Sequence, residues 1–452
     1  MANTSIRRTN SGNGNRKKWT VSWWEKKNKL GAVQRIFSCD EAGNNNHDDF
    51  FQWQTDDKLV IGFYDSGYYL NLTPDRNFRD TNGLYHFVFT WDTAQATASD
   101  RAKFYINGVR ETVFATETYP SQNQDSFINT TEPIEIGKRS DNDTQYLEST
   151  LSHIHFCDGY AYTPSDFGST DSTTGEWKIN TSPSVSYGTN GFFILKDGNS
   201  LTDESPNSNN WSSVSGTLTN TEDCPDNVFC TLNPLDCDLV SGLSNGNNTF
   251  SGFNTGTDYS ATSSTLSASS GKFYWEAKVT DLAEIDQVGV RLQNGVSMSI
   301  QGSNGSAGLQ GTAYGGKSVQ FSNGNKAGDG AQSAYMGGFS ANDIIMVALD
   351  LDNNKITFGR NGQWSDGSGN ANQTYANSTA AFTNLTAGEF YCPAQTSRSY
   401  GSNSGTTQYN FGNGYFGTTA ISSEGTNASN IGKFEYDIPS GFTALSTKGL
   451  NE

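Results

Sequence analysis

The sequence predicts an all-β protein, with two β-sandwich domains in tandem and little helix. Two stretches carry that expectation. In Asn342–Trp364, Ile345, Val347, Leu349 and Leu351 alternate with Met346, Ala348, Asp350 and Asp352, the period of a strand with one buried face. Asn353-Asn354 supplies a tight turn, and the return strand sets Ile356 and Phe358 on the apolar side with Lys355 and Thr357 towards water. Asn361-Gly362 then turns the chain again. In the N-terminal half, Tyr85, Phe87, Phe89 and Trp91 alternate with His86, Val88, Thr90 and Asp92, and the hairpin closes on Lys103–Ile106 and Asn107-Gly108. A lone hairpin does not stand in water, so each implies a sheet around it. A third observation is the absence of any long stretch with a helical period; helix is expected only near Pro164–Phe167.

Taken in order, residues 1–18 read as an exposed basic arm. Residues 1–29 hold eight basic side chains against one acid, Glu25, in a chain of net charge −18. The arm is expected to order on assembly against a virion partner or a neighbouring subunit. Trp19, Val21 and Trp23 form a strand face and leave Trp24 on the other side. Arg35–Cys39, Phe50–Gln54 and Leu59–Tyr64 are short strands, with a polar loop at Asn44–Asp49 between the first two. Pro133–Lys138, Leu151–Cys157 and Gly191–Lys196 complete the first domain, residues 19–200. Residues 201–231 are rich in Ser, Asn, Thr and Asp, with Trp211 the only Trp, and read as a polar connector. Residues 232–452 form the second domain.

Nine Trp, 20 Tyr and 27 Phe offset a hydrophobic fraction of only 34%, because each ring buries a large area. The acidic balance disfavours nucleic acid and anionic membrane as partners. No apolar run reaches membrane-spanning or secretory length, so membrane insertion is not expected, and assembly in a reducing cytoplasm is. The six cysteines are then not needed as disulfides.

The pieces WTVSWWEKK, LYHFVFTWD…KFYINGVRET and EPIEIGKRS…LSHIHFCDGYAYTPSDFG resemble a laminin-G-like, concanavalin A-like jelly roll over residues 19–200. SSGKFYWEAKV, VGVRL, DIIMVALDLDNNKITFGRNGQW, FYCPA, YNFGNGYF and IPSGFTALST, in that order, resemble a SPRY domain. The two joined, from GNRKKWT to GFTALSTKGL, are similar to fibre-like virion proteins of marine bacterial viruses. That resemblance implies a structural phage protein of tail-fibre type, located in the virion. Its partners would be other virion proteins and host-surface polysaccharide, in a homo-oligomer for which a trimer is the form considered. A capsid decoration or fibre-attachment protein with only protein partners is the alternative, and a glycan-degrading enzyme a distant one.

Folds of this kind include glycoside hydrolases, whose retaining members need two acids on one strand face about 5–5.5 Å apart. Glu284-Ile-Asp286 meets Val288 and Gly289 where the next acid belongs, and Glu435-Tyr-Asp437 meets Pro439, so no catalytic residue is assigned. Asp350-Leu-Asp352-Asn-Asn354 begins like a calcium loop, but Lys355 and Asn361 occupy its Gly and Glu positions; it is a hairpin turn. The jelly-roll resemblance implies that calcium can bind at the rim, with Asp48, Asp49 and Asp141 as candidates. The plainer expectation is solvated loop acids, and no metal residue is assigned. His153 and His155 share a strand face without a third ligand. For glycan binding the chosen stacking rings are Trp24, Tyr64, Tyr68 and Tyr69, the three tyrosines flanking Asp65-Ser-Gly67.

Overall fold

The computed structural model describes residues 3–40, 47–238, 242–252, 260–283, 285–295, 297–298, 309, 311–398 and 405–452. It is all-β. Among the described residues, the α-helix is confined to Ala98–Arg101, and a 3-10 turn lies at Pro164–Asp166 within the region where helix was expected. The chain divides into two compact units, residues 1–220 with 224–226, and residues 221–223 with 227–452.

The first unit packs an eight-stranded sheet against a six-stranded one. The strand Lys18–Lys27 pairs in register with Leu84–Asp92, which pairs in turn with Ala102–Ile106. Their inward residues, Trp19, Trp23, Phe87, Phe89, Trp91 and Phe104, meet Phe51, Trp53 and Phe63 of the other sheet in a ring-dense core. Trp19, Trp23, Trp53 and Trp91 are wholly enclosed, which is how a chain poor in aliphatic residues builds a core.

The basic arm is not an arm. Ser5–Thr9 is an interior strand of the eight-stranded sheet, with Pro133–Ile136 on one side and Ser212–Ser215 on the other. Ile6 enters the core, Arg7 pairs with Glu135, and Arg16 donates to the Ser126 carbonyl at 2.7 Å. One inward apolar residue is enough where strands pair on both sides, even with the ladder to Ser212–Ser215 broken between Ser5 and Ile6, and a five-residue segment with a single isoleucine shows no period to read.

The connector is folded too. Trp211 sits against Phe192 with ring centroids 4.9 Å apart, and Asn207 and Asn209 both donate to the Gly191 carbonyl. Its polar side chains satisfy backbone groups, a role that composition alone does not disclose.

The second unit pairs a seven-stranded with a nine-stranded sheet. Ile344–Asp350 lies between Lys272–Asp281 and Lys355–Arg360. The strand expected to have one buried face is buried along its whole length, and Thr357 is buried as well. The outer side, bearing Tyr274, Glu276 and Met346, is covered by the C-terminal segment: Phe434 meets Tyr274 at 5.0 Å. Glu276 accepts from the Glu435 and Tyr436 N–H groups, both at 2.9 Å.

Both hairpins use one device. Asn107 (φ 47°) and Asn361 (φ 50°) occupy the left-handed region ahead of Gly108 and Gly362. The Asn107 side chain accepts from the His86 N–H at 2.8 Å while its own N–H donates to the His86 carbonyl at 2.8 Å. Asn361 does the same with Ile344, at 2.8 and 3.0 Å. Asparagine suits the position twice over, tolerating positive φ and supplying the acceptor.

Candidate functional site: an aromatic platform on the eight-stranded sheet

The platform begins with a turn. Asp65-Ser-Gly67 reverses the chain between Leu59–Asp65 and Tyr68–Pro74, with Ser66 at φ 53°, and sets Tyr64 directly across from Tyr68. Their rings lie 5.3 Å apart at 77°. One strand further on, Phe50 pairs with Gly62. A Cβ at Gly62 would fall 2.5 Å from the Phe50 ring, so the glycine is what lets that ring lie flat across the strand. Tyr68 meets Phe50 edge-on at 6.5 Å.

Arg35 stacks its guanidinium 3.8 Å over Phe50. Asp48 grips Arg35 bidentately at 2.9 and 2.6 Å, and Gln145 accepts from its Nε at 3.0 Å. The result is a row running from Asp48 through Arg35 and Phe50 to Tyr68 and Tyr64. Tyr68 is 49% exposed at the end of a buried, locked support. Asp40 stands opposite Asp48 in register, and burial together with Asp48 pushes its carboxyl up to about 7. The loop that connects these two acids lies largely outside the described residues.

Two of the four expected stacking residues therefore meet, and two do not. Tyr69 points to the opposite face, where its hydroxyl donates to Asp49 at 2.5 Å and its ring abuts Phe63 and Trp91. Trp24 does face away from the main core, but it is 3% exposed and stacked on His86 at 4.8 Å, so it offers no surface to a sugar. Phe50 and Arg35 were not anticipated, and Asp48 was considered only as a calcium candidate. Gly62 in a strand interior was their sequence trace.

The acids expected as solvated loop residues are engaged. Asp48 holds Arg35. Asp49 is wholly buried, accepts from Tyr69, Phe127 N–H (2.6 Å) and Ile128 N–H (3.2 Å), and is pushed up to about 7 by burial. Asp141 pairs with Arg139 at 2.7 Å. With their oxygens committed in this way the three do not fit a calcium ion, and among the described residues no group of three or more His, Cys, Asp or Glu side chains is placed to hold a metal.

His153 and His155 do not form an i, i+2 pair. A bulge between Ser152 and His155 puts His153 at φ 48°, and His155 stacks on Phe193 at 3.9 Å with Nδ1 at 2.9 Å from the Tyr187 hydroxyl. Asp286 accepts from the Ala283 N–H at 2.7 Å, while Glu435 and Asp437 accept from the backbone of Ser422 and Thr426. Glu284 lies outside the described residues.

Residues 2–166 match the family model of the concanavalin A-like lectin/glucanases superfamily, a span that contains the whole aromatic row and its Gln145 brace. Over these residues the first unit is similar to concanavalin A-like lectin/glucanase domains, a β-sandwich fold that suggests carbohydrate or other ligand binding. No curated relative matches the chain.

Similar solved structures include the SPRY domain of human HERC1, at 17% identity and TM-score 0.29, covering 39% of this chain and 96% of that one. Another is the heptameric SAP-like pentraxin from Limulus polyphemus, at 16% identity and TM-score 0.29, covering 48% and 90%. A human SPRY domain aligns at 15% identity and TM-score 0.25, covering 36% and 91%. Likeness at this level carries no functional argument.

Proposed function

We propose that this chain is a structural phage virion protein of tail-fibre type that recognises a host-surface glycan through the Tyr64–Tyr68 platform. The observation that carries the reading is Tyr68, half-exposed and held edge-on by buried Phe50 beside the Arg35–Asp48 pair. A pyranose presents an apolar face to such a ring and hydroxyls to the flanking polar groups. The concanavalin A-like match supports the ligand class, and the resemblance of the joined domains to fibre-like virion proteins supports the setting. The partners in this reading are other virion proteins, host polysaccharide and further copies of the chain, a trimer being one such form. Each site binds weakly, and copy number raises avidity through effective concentration. The role is binding without cleavage.

The test uses multimerised protein on host cells and purified host polysaccharide. Binding without shortening of the polymer is expected, and the Tyr64→Ala, Tyr68→Ala double variant should lose about tenfold or more, the equivalent of roughly 1.4 kcal/mol, with its melting temperature unchanged. Tight binding to empty capsids with none to host material would instead favour capsid decoration.

A further inference from the structure

The outer face of the six-stranded sheet holds a second feature, unrelated to the platform. After Ser149–Asp158 the chain crosses back over this face as residues 159–163, and two threonines fasten it. Thr20 and Thr90 stand opposite each other in register. Thr20 Oγ1 donates to the Tyr160 carbonyl at 2.9 Å and accepts from the Tyr162 N–H at 2.8 Å, while Thr90 Oγ1 donates to the Tyr162 carbonyl at 2.6 Å. Between this crossing and residues 95–105 lies a groove of about 410 Å³, inside the range of roughly 300–1,000 Å³ typical of ligand clefts.

Its lining has the composition of a saccharide site. Tyr160 is 42% exposed, and Tyr162 backs it with a nearly parallel ring at 5.7 Å. Tyr162 is itself anchored, its hydroxyl accepting from the Ser186 N–H at 2.8 Å. Asp92, only 6% exposed, accepts from Gln95 at 2.8 Å and pairs with Lys18 at 3.2 Å, both through Oδ2. Its Oδ1 accepts no hydrogen bond from the protein. That oxygen is enclosed by the protein and out of reach of the groove, so Gln95, exposed and holding Asp92 Oδ2, is the polar group this wall offers to a ligand. Lys103 and Arg110 both pair with Asp100, at 3.3 and 3.4 Å, so each of the four charged side chains of the lining already has an opposite partner. A charged ligand would have to break an ion pair to enter; a neutral polyol would not.

We infer that this groove is a binding site for a neutral saccharide of one or two residues, with Tyr160 as the stacking ring and Gln95 as the hydroxyl partner. It stands independently of the glycan reading of the Tyr68 platform, on the other sheet of the same unit.

Saturation-transfer NMR on the full chain tests it. Cellobiose, maltose, lactose and N,N′-diacetylchitobiose serve separately as neutral probes, with N-acetylneuraminic acid and glucosamine as charged comparisons. At least one neutral probe should receive saturation. That signal should disappear in Tyr160→Ala, weaken several-fold in Gln95→Ala and persist in Tyr68→Ala, because each groove residue changed is exposed and the fold does not depend on it. No transfer to any neutral probe, transfer to the charged sugars alone, or a signal that survives both groove variants would overturn the inference. So would a signal lost in Tyr68→Ala, and that result would leave the platform reading intact.

Discussion

The two units bury their central hairpins in the same way on the inside and differently on the outside. Each has an Asn-Gly hairpin whose inner face fills a core and whose outer face is covered by a later stretch of chain. In the second unit the cover is fixed to a buried carboxylate. Glu276 takes hydrogen bonds from Tyr274, Asn410 and two backbone N–H groups of the C-terminal segment. In the first unit the cover is tied down by neutral hydroxyls, Thr20 and Thr90, and by histidines, and it leaves a groove at its margin. A cover held by ionisable groups in a dry site is all or nothing. A cover held by many neutral bonds can stop short and leave room for a ligand.

The largest expected effect strikes the sealed face. Glu276→Ala leaves the Tyr274 hydroxyl, the Asn410 amide and two N–H groups without their acceptor, and should cost about 3–5 kcal/mol in denaturant unfolding. The loss should fall on probes in the second unit, Trp275 and Trp364, and spare those in the first.

Acidification should separate the two covers next. Burial pushes Glu276 up to about 7 and Asp286 up to about 6. A carboxyl whose folded pKa is raised binds its proton more readily folded than unfolded, so its stabilisation is full below the unfolded value and is lost as pH rises through the folded one. For Glu276 that is about 3 kcal/mol gained between pH 7 and 4.5. In the first unit, Asp40 and Asp49 behave likewise, each rising to about 7. There, however, burial holds His86 down to about 3 and His153 down to about 4, and holds His155 low as well. Depressed histidines take the opposite sign: their stabilisation is present above about 6.5 and is lost as pH falls towards the folded values. From pH 7 to 5 the second unit should therefore gain several kcal/mol while the first changes little. Equal shifts in both, followed by unit-specific tryptophan fluorescence, would mean that the covers do not differ in this way.

Gly62→Ala tests whether the platform is built or incidental. The added methyl meets the Phe50 ring, so about 1–3 kcal/mol should be lost from the first unit alone, together with glycan binding by Tyr68. The smallest effect probes what the units share. Asn107→Gly and Asn361→Gly keep positive φ available but remove the side-chain acceptor, and each should cost about 1 kcal/mol in its own unit. A cost at one turn only would show that the device is duplicated in form but not in weight.

Both hairpins were legible from alternation and Asn-Gly alone, because turn and strand chemistry are local. Tyr64 and Tyr68 were legible as neighbours for the same reason, since a two-residue reversal brings its flanks together. What escaped was set by distant chain. Trp24 was assigned to the correct side of its strand, yet His86 of the adjacent strand stacks on it and Trp177 stacks on His86 in turn. The groove forms where residues 90–105 meet 159–163, and no spacing encodes that meeting. Ile6 among arginines and Trp211 among serines each carry one apolar residue, too few for a period, and only their hydrogen-bonded neighbours reveal them as structural.

The position of Ser5–Thr9 has a consequence in time. This strand is synthesised well before its partners, one of which lies near residue 134 and the other near residue 213. At about 5–20 residues per second, synthesis spends roughly 10–40 s before the second partner exists. During that interval the segment is a detached strand with one apolar side chain and four polar ones. Its two arginines set charge beside Ile6, the kind of flanking charge that disfavours pairing between exposed strands of neighbouring chains.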